Sequence, residues 1–240
     1  MSYRGRKVTV VMPAYNAAAT LEKTYRDLPR GMVDDVILVD DASADNTVEI
    51  AKRLGLYVKR HSKNMGYGGN QKTCYRTALS RGADVIVMVH PDHQYDPKVV
   101  PDLVRAMVDR GRLAVFGSRM LNRRNALAGG MPKWKFIFNI ALTKIGNLFL
   151  GTSLTEFHSG FRAYDRRVFG MIDIGKNSDD FVFDTQIIIQ LASRGIGIEE
   201  IPIRTRYFEE SSQIRLLPAL KYGAEIMFNL FLYKSGLREY

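Results

Sequence analysis

Short apolar runs alternate with amphipathic stretches along the first half of the chain. Lys7–Met12 (KVTVVM), Val36–Val39, the weaker Leu56–Lys59, Val85–Val89 and Leu113–Phe116 each read as a strand. An unbroken apolar run marks a strand buried on both faces. Between the runs, apolar positions three and four apart predict helices. These are a helix from Ala17 to Leu28, one through Ile50 and Leu54, one through Thr73, Thr77 and Leu79, and Val99–Val108. Asn16 and the Asp45–Thr47 group stand where helix caps are expected, and Gly55, Gly82 and Gly111 stand where helices stop. Strands and helices alternating at this spacing predict right-handed βαβ units and a mainly parallel α/β sheet flanked by helices.

The second half is patterned differently. Arg123–Lys135 is basic and irregular and is expected to be a mobile loop, and Phe136–Leu150 reads as an apolar helix. Thr155–Tyr164 reads as loop turning into strand, and Phe181–Asp184 leads into a helix at Thr185–Ser193. Ile198–Ile203 is a strand interrupted by Pro202, which cannot donate to a ladder and so predicts a sheet edge. Leu216–Tyr233 is a long, mostly apolar helix carrying Lys221 and Glu225. The expected organisation is one domain, residues 1–215, with an amphipathic helical tail over 216–240.

Composition narrows the partners. The chain has 240 residues, 46% of them hydrophobic, and a formal charge of +10, which predicts an anionic partner. The basic residues are scattered rather than blocked and no aromatic RNA-binding signature is present, so nucleic acid is not expected. Cys74 is the single cysteine, so no disulfide within the chain and no cysteine zinc site can form. No apolar segment reaches the ~18 residues of a membrane-spanning helix, and Val8–Met12 is too short for a signal-peptide core. A cytoplasmic protein is expected. The aromatic, leucine and lysine content of Phe136–Leu150 and Leu216–Tyr233 suits an interfacial helix on the membrane face, core packing or a homodimer contact.

Candidate chemistry gathers at strand ends. Asp40 and Asp41 follow the second apolar run, Asp92 and Asp96 follow Val85–Val89, and Asp184 precedes a helix. Ligands of open α/β sheets bind outside the carboxyl ends of strands. Carboxylates collected there in a basic protein point to a divalent cation, Mg²⁺ or Mn²⁺, and a phosphorylated ligand. Asp and Pro also punctuate ordinary turns, and Asp40 suits a structural cap better than a ligand. The glycines of Asn64–Asn70 would let backbone approach a phosphate closely. The four histidines, His61, His90, His93 and His158, match no zinc spacing.

Taken together and in order, these segments resemble the inverting family-2 glycosyltransferases of the GT-A, Rossmann-like fold. The nearest likeness is to the dolichyl-phosphate mannose synthase and polyprenyl-phosphate glycosyltransferase branch. Val11-Met-Pro-Ala-Tyr-Asn16, Val39-Asp-Asp-Ala-Ser-Ala-Asp-Asn-Thr47, Asn64–Asn70, Asp92-His-Gln-Tyr-Asp-Pro97, Gly117-Ser-Arg119 and Ser159-Gly-Phe-Arg162 carry it. The resemblance implies transfer of a hexose from a nucleotide sugar, of the GDP-mannose or UDP-glucose type, to a polyprenyl or dolichyl phosphate. Pro13, Ala14, Tyr15, Asp41 and Gly66 would then bind the donor. Asp92 would hold the metal with Gln94 and His90, and Arg206 would neutralise the donor phosphates. Arg119, Lys133 and Arg162 would meet the acceptor. If the acceptor were a saccharide or small-molecule hydroxyl, Asp184 would be the general base; its other reading is an N-cap of the Thr185 helix. A nucleotide-sugar-binding protein without catalysis is the third alternative, because fold does not fix function. Three positions depart from the family pattern: Ala17 replaces a glutamate, His90 the first aspartate of the D-x-D pair, and Ser212 a lysine.

Overall fold

β1 (Val8–Ala14) is buried at all seven positions, as its apolar sequence requires. It lies between two parallel neighbours, β2 (Asp35–Asp40) and β4 (Val85–Met88). The computed structural model describes residues 2–206 and 216–237; the Ser212 position lies outside them. β3 (Tyr57–Arg60) flanks β2, and β5 (Ala114–Ser118), β6 (Arg162–Asp165) and β7 (Ile198–Pro202) complete a sheet of order β3-β2-β1-β4-β6-β5-β7. Only β6 runs against its neighbours, pairing antiparallel with β4 and β5. Pro202 sits on the outermost strand opposite Ser118, the edge expected for a residue without an N–H.

The two-residue period of the strands sorts the core into layers. Val8, Val10 and Met12 face a cluster with Leu21 of α1 (Leu21–Arg26), Ala51 of α2 (Thr47–Arg53) and Leu103 of α4 (Val100–Asp109). Val11, Ile37 and Val39 face Cys74 and Tyr75 of α3 (Tyr67–Ser80), Val168 of α7 (Val168–Met171), and Ile187 and Leu191 of α8 (Phe183–Ser193). A third cluster joins Leu142 of α6 (Lys133–Leu150), Ile189 of α8, and Ile226 and Leu230 of α9 (Leu216–Lys234). The tail helix is therefore packed on α6 and α8.

Four local expectations are corrected. Arg123–Lys135 is not one irregular loop: Arg123–Ala128 forms α5, and α6 already begins at Lys133 behind Pro132. The first helix is shorter than its pattern, because Asn16 (φ +50°) does not cap it. Its side chain accepts from Ala44 N–H at 2.9 Å, tying the end of β1 to the end of β2. Asn64–Asn70 is not wholly a loop, since Tyr67 opens α3. Asp184 is no N-cap either, because α8 starts one residue earlier and is capped by Val182.

Candidate active site

A cleft of about 820 Å³ opens where β1, β2, β4 and β5 end. That is the point at which strand order reverses, between β1 and β4. Pro13, Ala14, Tyr15, Asp41, Gly66, His90, Asp92, Gln94, Arg119 and Asp184 all line it. Lys133, Arg162 and Arg206 do not.

The Asp41 side of the cleft is a dense hydrogen-bond network. Oδ1 accepts from Met65 N–H at 2.8 Å and lies 2.7 Å from His61 Nδ1, while Oδ2 accepts from Gly66 N–H at 3.1 Å. Gly68 and Gly69 donate their N–H groups to the Asp179 carbonyl at 2.7 and 3.3 Å. A Cβ on Gly68 would meet Ser178 O at 2.4 Å, and one on Gly66 would meet Asp179 O at 2.6 Å. The glycines thus admit the backbone of residues 178–179, and the phosphate cradle expected of them is corrected: these four amides already have acceptors. Asp40 points away from the cleft, accepting from Ser43 N–H at 3.1 Å and pairing with Arg60 at 3.3 Å.

The segment after β4 is held from two sides. Thr24 Oγ1 of α1 donates to Pro91 O at 3.1 Å, and Arg206 N–H donates to Gln94 O at 3.0 Å. Arg206 also donates to His93 Nδ1 and to Asp96 Oδ2, each at 3.1 Å. A guanidinium only donates, so His93 carries its hydrogen on Nε2 and donates to Asp27 Oδ2 at 2.9 Å. Arg206 therefore braces this loop from behind. The expected contact with donor phosphates is corrected, since its nitrogens face His93 and Asp96.

Asp92 stands at the front of the same loop. Its Oδ1 accepts from Gln94 N–H at 3.1 Å. His90 presses its Nε2 edge toward Gly160, where a Cβ would come within 2.6 Å, and toward the Tyr67 hydroxyl at 3.5 Å. Burial lowers the His90 pKa, against the opposing pull of Asp92 and Asp184. Among the described residues no three His, Cys, Asp or Glu side chains gather as metal ligands. Asp92, with Gln94 and His90 beside it, fits a Mg²⁺ or Mn²⁺ ion that would take the rest of its shell from a bound diphosphate and water. The set does not fit a closed, all-protein metal site.

Asp184 is committed elsewhere. Tyr67 Oη donates to its Oδ2 at 2.8 Å, Gln71 Nε2 to Oδ1 at 3.3 Å, and the Arg162 guanidinium lies 3.4 Å from Oδ1. Arg162 is itself fully buried and donates to the carbonyls of Phe157, Ser159 and Asp184. Its expected role as an acceptor-binding residue is corrected: it staples β6 to α8 beneath the cleft.

The far wall comes from helices. Met131, Trp134, Lys135, Phe138 and Leu142 from α6 and its lead-in, with Ala219 and Tyr222 of α9, line it beside Arg119 and His158. Arg119 is paired with the buried Glu156, which accepts its backbone N–H and its Nε at 2.7 Å each and Asn139 Nδ2 at 2.8 Å. Burial would raise the Glu156 pKa, but Arg119 outweighs it and holds the carboxyl below its usual range. Lys133 is exposed outside the cleft, and the lysine that lines it is Lys135. Burial and the nearby Arg119 lower the Lys135 pKa. Lys135, Tyr67, His158 and Tyr222 were not legible from motifs. The signal available for Lys135 was the helical phase of residues 133–142, which an irregular loop assignment hides.

Comparison with known proteins identifies relatives. The model of glycosyl transferase family 2 matches residues 9–172. An uncharacterized protein of Methanocaldococcus jannaschii is 33% identical over 228 residues, covering 95% of this chain and 92% of its own. The UDP-N-acetylglucosamine–dolichyl-phosphate N-acetylglucosaminyltransferase of Methanococcus voltae is 26% identical over 95% of this chain and 96% of its own. The undecaprenyl-phosphate mannosyltransferase of Micrococcus luteus is 29% identical over 82% of each. Glucosyl-3-phosphoglycerate synthase from Mycobacterium tuberculosis, solved with Mn²⁺, UDP and glucosyl-3-phosphoglycerate, superposes with a TM-score of 0.71 at 20% identity, over 98% of this chain and 82% of that one. At that identity the likeness shows the fold, which is GT-A.

Proposed function

The chain belongs to glycosyl transferase family 2 and is a glycosyltransferase, and from that premise we propose that it moves a hexose from a nucleotide sugar to a polyprenyl phosphate. The observation that carries this reading is the helical wall of the cleft. α6 and α9 line it with Trp134, Phe138, Leu142 and Tyr222. On their outer faces the same helices expose Ile137 (67%), Leu148 (80%), Phe228 (62%) and Phe231 (56%). Lys133, Lys135, Lys144, Lys221 and Lys234 lie on those helices too. An apolar face edged with lysines suits an anionic lipid surface, and it would deliver a lipid acceptor to the cleft from the side. No helix among the described residues is long and apolar enough to cross a membrane, so the proposed association is peripheral. Relatives named for dolichyl-phosphate and undecaprenyl-phosphate transfer support the same acceptor class.

The chemistry follows from which groups are engaged. Asp184 already serves Tyr67, Gln71 and Arg162, so it anchors the cleft floor rather than waiting for a hydroxyl proton. A lipid phosphate arrives ionised and needs no base. Its oxygen attacks the anomeric carbon as the bond to the diphosphate breaks, and that electron pair leaves with the diphosphate. Tyr15 and Pro13 would pack the nucleoside while Asp41 accepts from its base. Asp92 would hold a Mg²⁺ or Mn²⁺ ion, which when bound supplies Lewis-acid stabilisation of the leaving group. Arg119 and Lys135 would orient the acceptor anion. Because Glu156 offsets the charge of Arg119, Lys135 supplies most of the local positive charge.

The test is a transfer assay with UDP- and GDP-linked hexoses, offering polyprenyl phosphate, 3-phosphoglycerate and free saccharides as acceptors. Transfer into the lipid fraction is expected, together with flotation of the protein on anionic liposomes. Transfer to water-soluble acceptors alone would overturn the lipid assignment.

A further inference from the structure

β7 carries two consecutive glutamates, and the two-residue strand period sends them to opposite faces. Glu199 pairs with Arg110 and Arg112. Glu200 meets donors of another kind. Its Oε2 accepts Thr155 N–H at 2.7 Å, and its Oε1 accepts the Thr155 hydroxyl at 2.8 Å and Glu156 N–H at 3.1 Å. Neither amide has a backbone acceptor among the described residues. Thr155 and Glu156 lie in the irregular stretch between α6 and β6, where no helix or ladder fixes the chain. Burial raises the Glu200 pKa, Glu156 adds to the shift, and the bonds from Thr155 and Glu156 oppose it.

The hydrogens of this cluster can be assigned. An ionised carboxylate only accepts, so the Thr155 hydroxyl gives its hydrogen to Glu200. Ser118 Oγ, 2.6 Å from Thr155 Oγ1, is then the donor of that contact. The Ser118 oxygen in turn accepts Met120 N–H at 3.1 Å. One chain of bonds therefore runs from the backbone just after Arg119 through Ser118 and Thr155 to Glu200. The second is shorter: Glu200 holds the Glu156 amide, and the Glu156 carboxylate takes the backbone N–H and Nε of Arg119. Both chains end on one carboxylate, with Arg119 between them.

We propose that Glu200 is a positioning residue that aims the Arg119 guanidinium at the acceptor's anionic group without touching the acceptor. Glu200 does not line the cleft, so its influence passes through Ser118, Thr155 and Glu156. Asn139 on α6 also holds the Glu156 carboxylate, but the backbone that carries this carboxylate depends on β7. Loss of Glu200 leaves two amides and a hydroxyl unpaired, so residues 155–156 drift and Arg119 drifts with them. A small displacement of an orienting group is enough to weaken recognition. The inference rests on the reading above that Arg119 meets the acceptor anion, and adds the residue that holds it there.

The full chain is assayed for acceptor KM with polyprenyl phosphate and, by calorimetry with Mg²⁺ present, for UDP and GDP affinity. Glu200→Ala is expected to raise the acceptor KM about tenfold and to leave nucleotide affinity unchanged. Glu200→Gln offers one acceptor oxygen to three donors, and a rise of about threefold is expected. Placed in the Glu156→Ala/Arg119→Met background, Glu200→Gln is expected to add nothing, because the residue through which it acts is gone. If Glu200→Ala does not fold, Glu200→Gln and Thr155→Val, which cuts the hydroxyl chain alone, carry the test, each with a rise of about threefold. An unchanged acceptor KM, an equal weakening of nucleotide and acceptor, or a further rise in the background lacking Arg119 overturns the positioning role while the transferase reading stands. If the wild type uses 3-phosphoglycerate and not the lipid, the lipid reading falls, and the same KM series on that acceptor decides the role of Glu200. Transfer to unphosphorylated saccharides alone overturns both.

Discussion

At the Asp41 end of the cleft, Met65, Gly66, Gly68 and Gly69 all donate their N–H groups to Asp41 or to Asp179. At the helical end, large apolar side chains of α6 and α9 face outward and one buried ion pair, Arg119–Glu156, carries the polar order. The first region is fixed by many short-range bonds, each replaceable by little. The second depends on apolar packing and one buried charged contact. On the proposed function, a site built this way would hold a polar, defined donor firmly and leave the acceptor end suited to a flexible apolar ligand, because hydrophobic contact is not directional.

The largest effect expected of breaking that contrast is at Glu156. Glu156→Ala leaves the buried Arg119 guanidinium without its main acceptor and is expected to cost about 3–5 kcal/mol, the range for removing one partner of a buried pair. Urea unfolding measures it. The double variant Glu156→Ala/Arg119→Met is expected to recover much of the loss, since no uncompensated charge is left behind. Additive destabilisation would show that the two residues do not act as a pair.

Asp92, after β4, is the proposed counterpart at the other end, expected to matter to activity and to cost the fold little. Asp92→Asn keeps an oxygen for the Gln94 N–H but gives up the charge that would hold a cation. Turnover is expected to fall about 10²–10³-fold, as for other groups that stabilise developing charge. Stability is expected to stay within about 0.5 kcal/mol, the usual range for partly exposed substitutions. Retained turnover with Mg²⁺ or Mn²⁺ present would remove Asp92 from the metal assignment.

The contrast also explains what the sequence disclosed. The strand runs, the parallel order and the positions of Asp41, Asp92 and Arg119 are legible because each rests on local pattern: apolar runs, strand ends and motif spacing. Arg162 and Arg206 sit in motifs or close to them, yet their guanidiniums turn to carbonyls and to His93 and Asp96. A motif gives the position along the chain, whereas the direction of a long side chain depends on what folds around it, for Arg206 on residues more than a hundred positions away. The Asn64–Asn70 glycines misled for the same reason. Close backbone approach was rightly inferred, but the backbone that approaches is Asp179 of this chain. Lys135 was missed because a run of basic residues hid the start of α6.

Gly68 tests that lesson at smaller scale. Gly68→Ala would place a Cβ 2.4 Å from Ser178 O and 2.8 Å from Phe183 Cβ, so residues 178–183 must shift. A loss of about 1–3 kcal/mol is expected, the range for overpacking a tight contact. Because the displaced segment carries Asp180, Phe181 and Asp184 into the cleft, turnover is expected to fall as well. A variant that loses transfer while keeping full stability would instead return Gly68 to the role of a phosphate cradle.

A further effect is a pH dependence to which the helical end contributes. His158 donates or accepts at Nδ1 with Tyr222 Oη at 3.1 Å. Burial lowers its pKa from 6.5 to about 4; Glu156 opposes the shift, and Arg119 and Arg162 add to it. The folded state therefore binds its proton less readily than the unfolded state. The stabilisation from a neutral His158 is complete above pH 6.5 and is lost as pH falls from 6.5 toward 4, where the unfolded chain takes up a proton that the folded chain refuses. Urea midpoints measured from pH 8 to pH 4 are expected to decline across that window in the wild type and to decline less steeply in His158→Gln, which has no ring to protonate, with buried His90 accounting for part of the remaining slope. An identical decline in both would place the acid sensitivity on another group and leave the helical end without a titrating element.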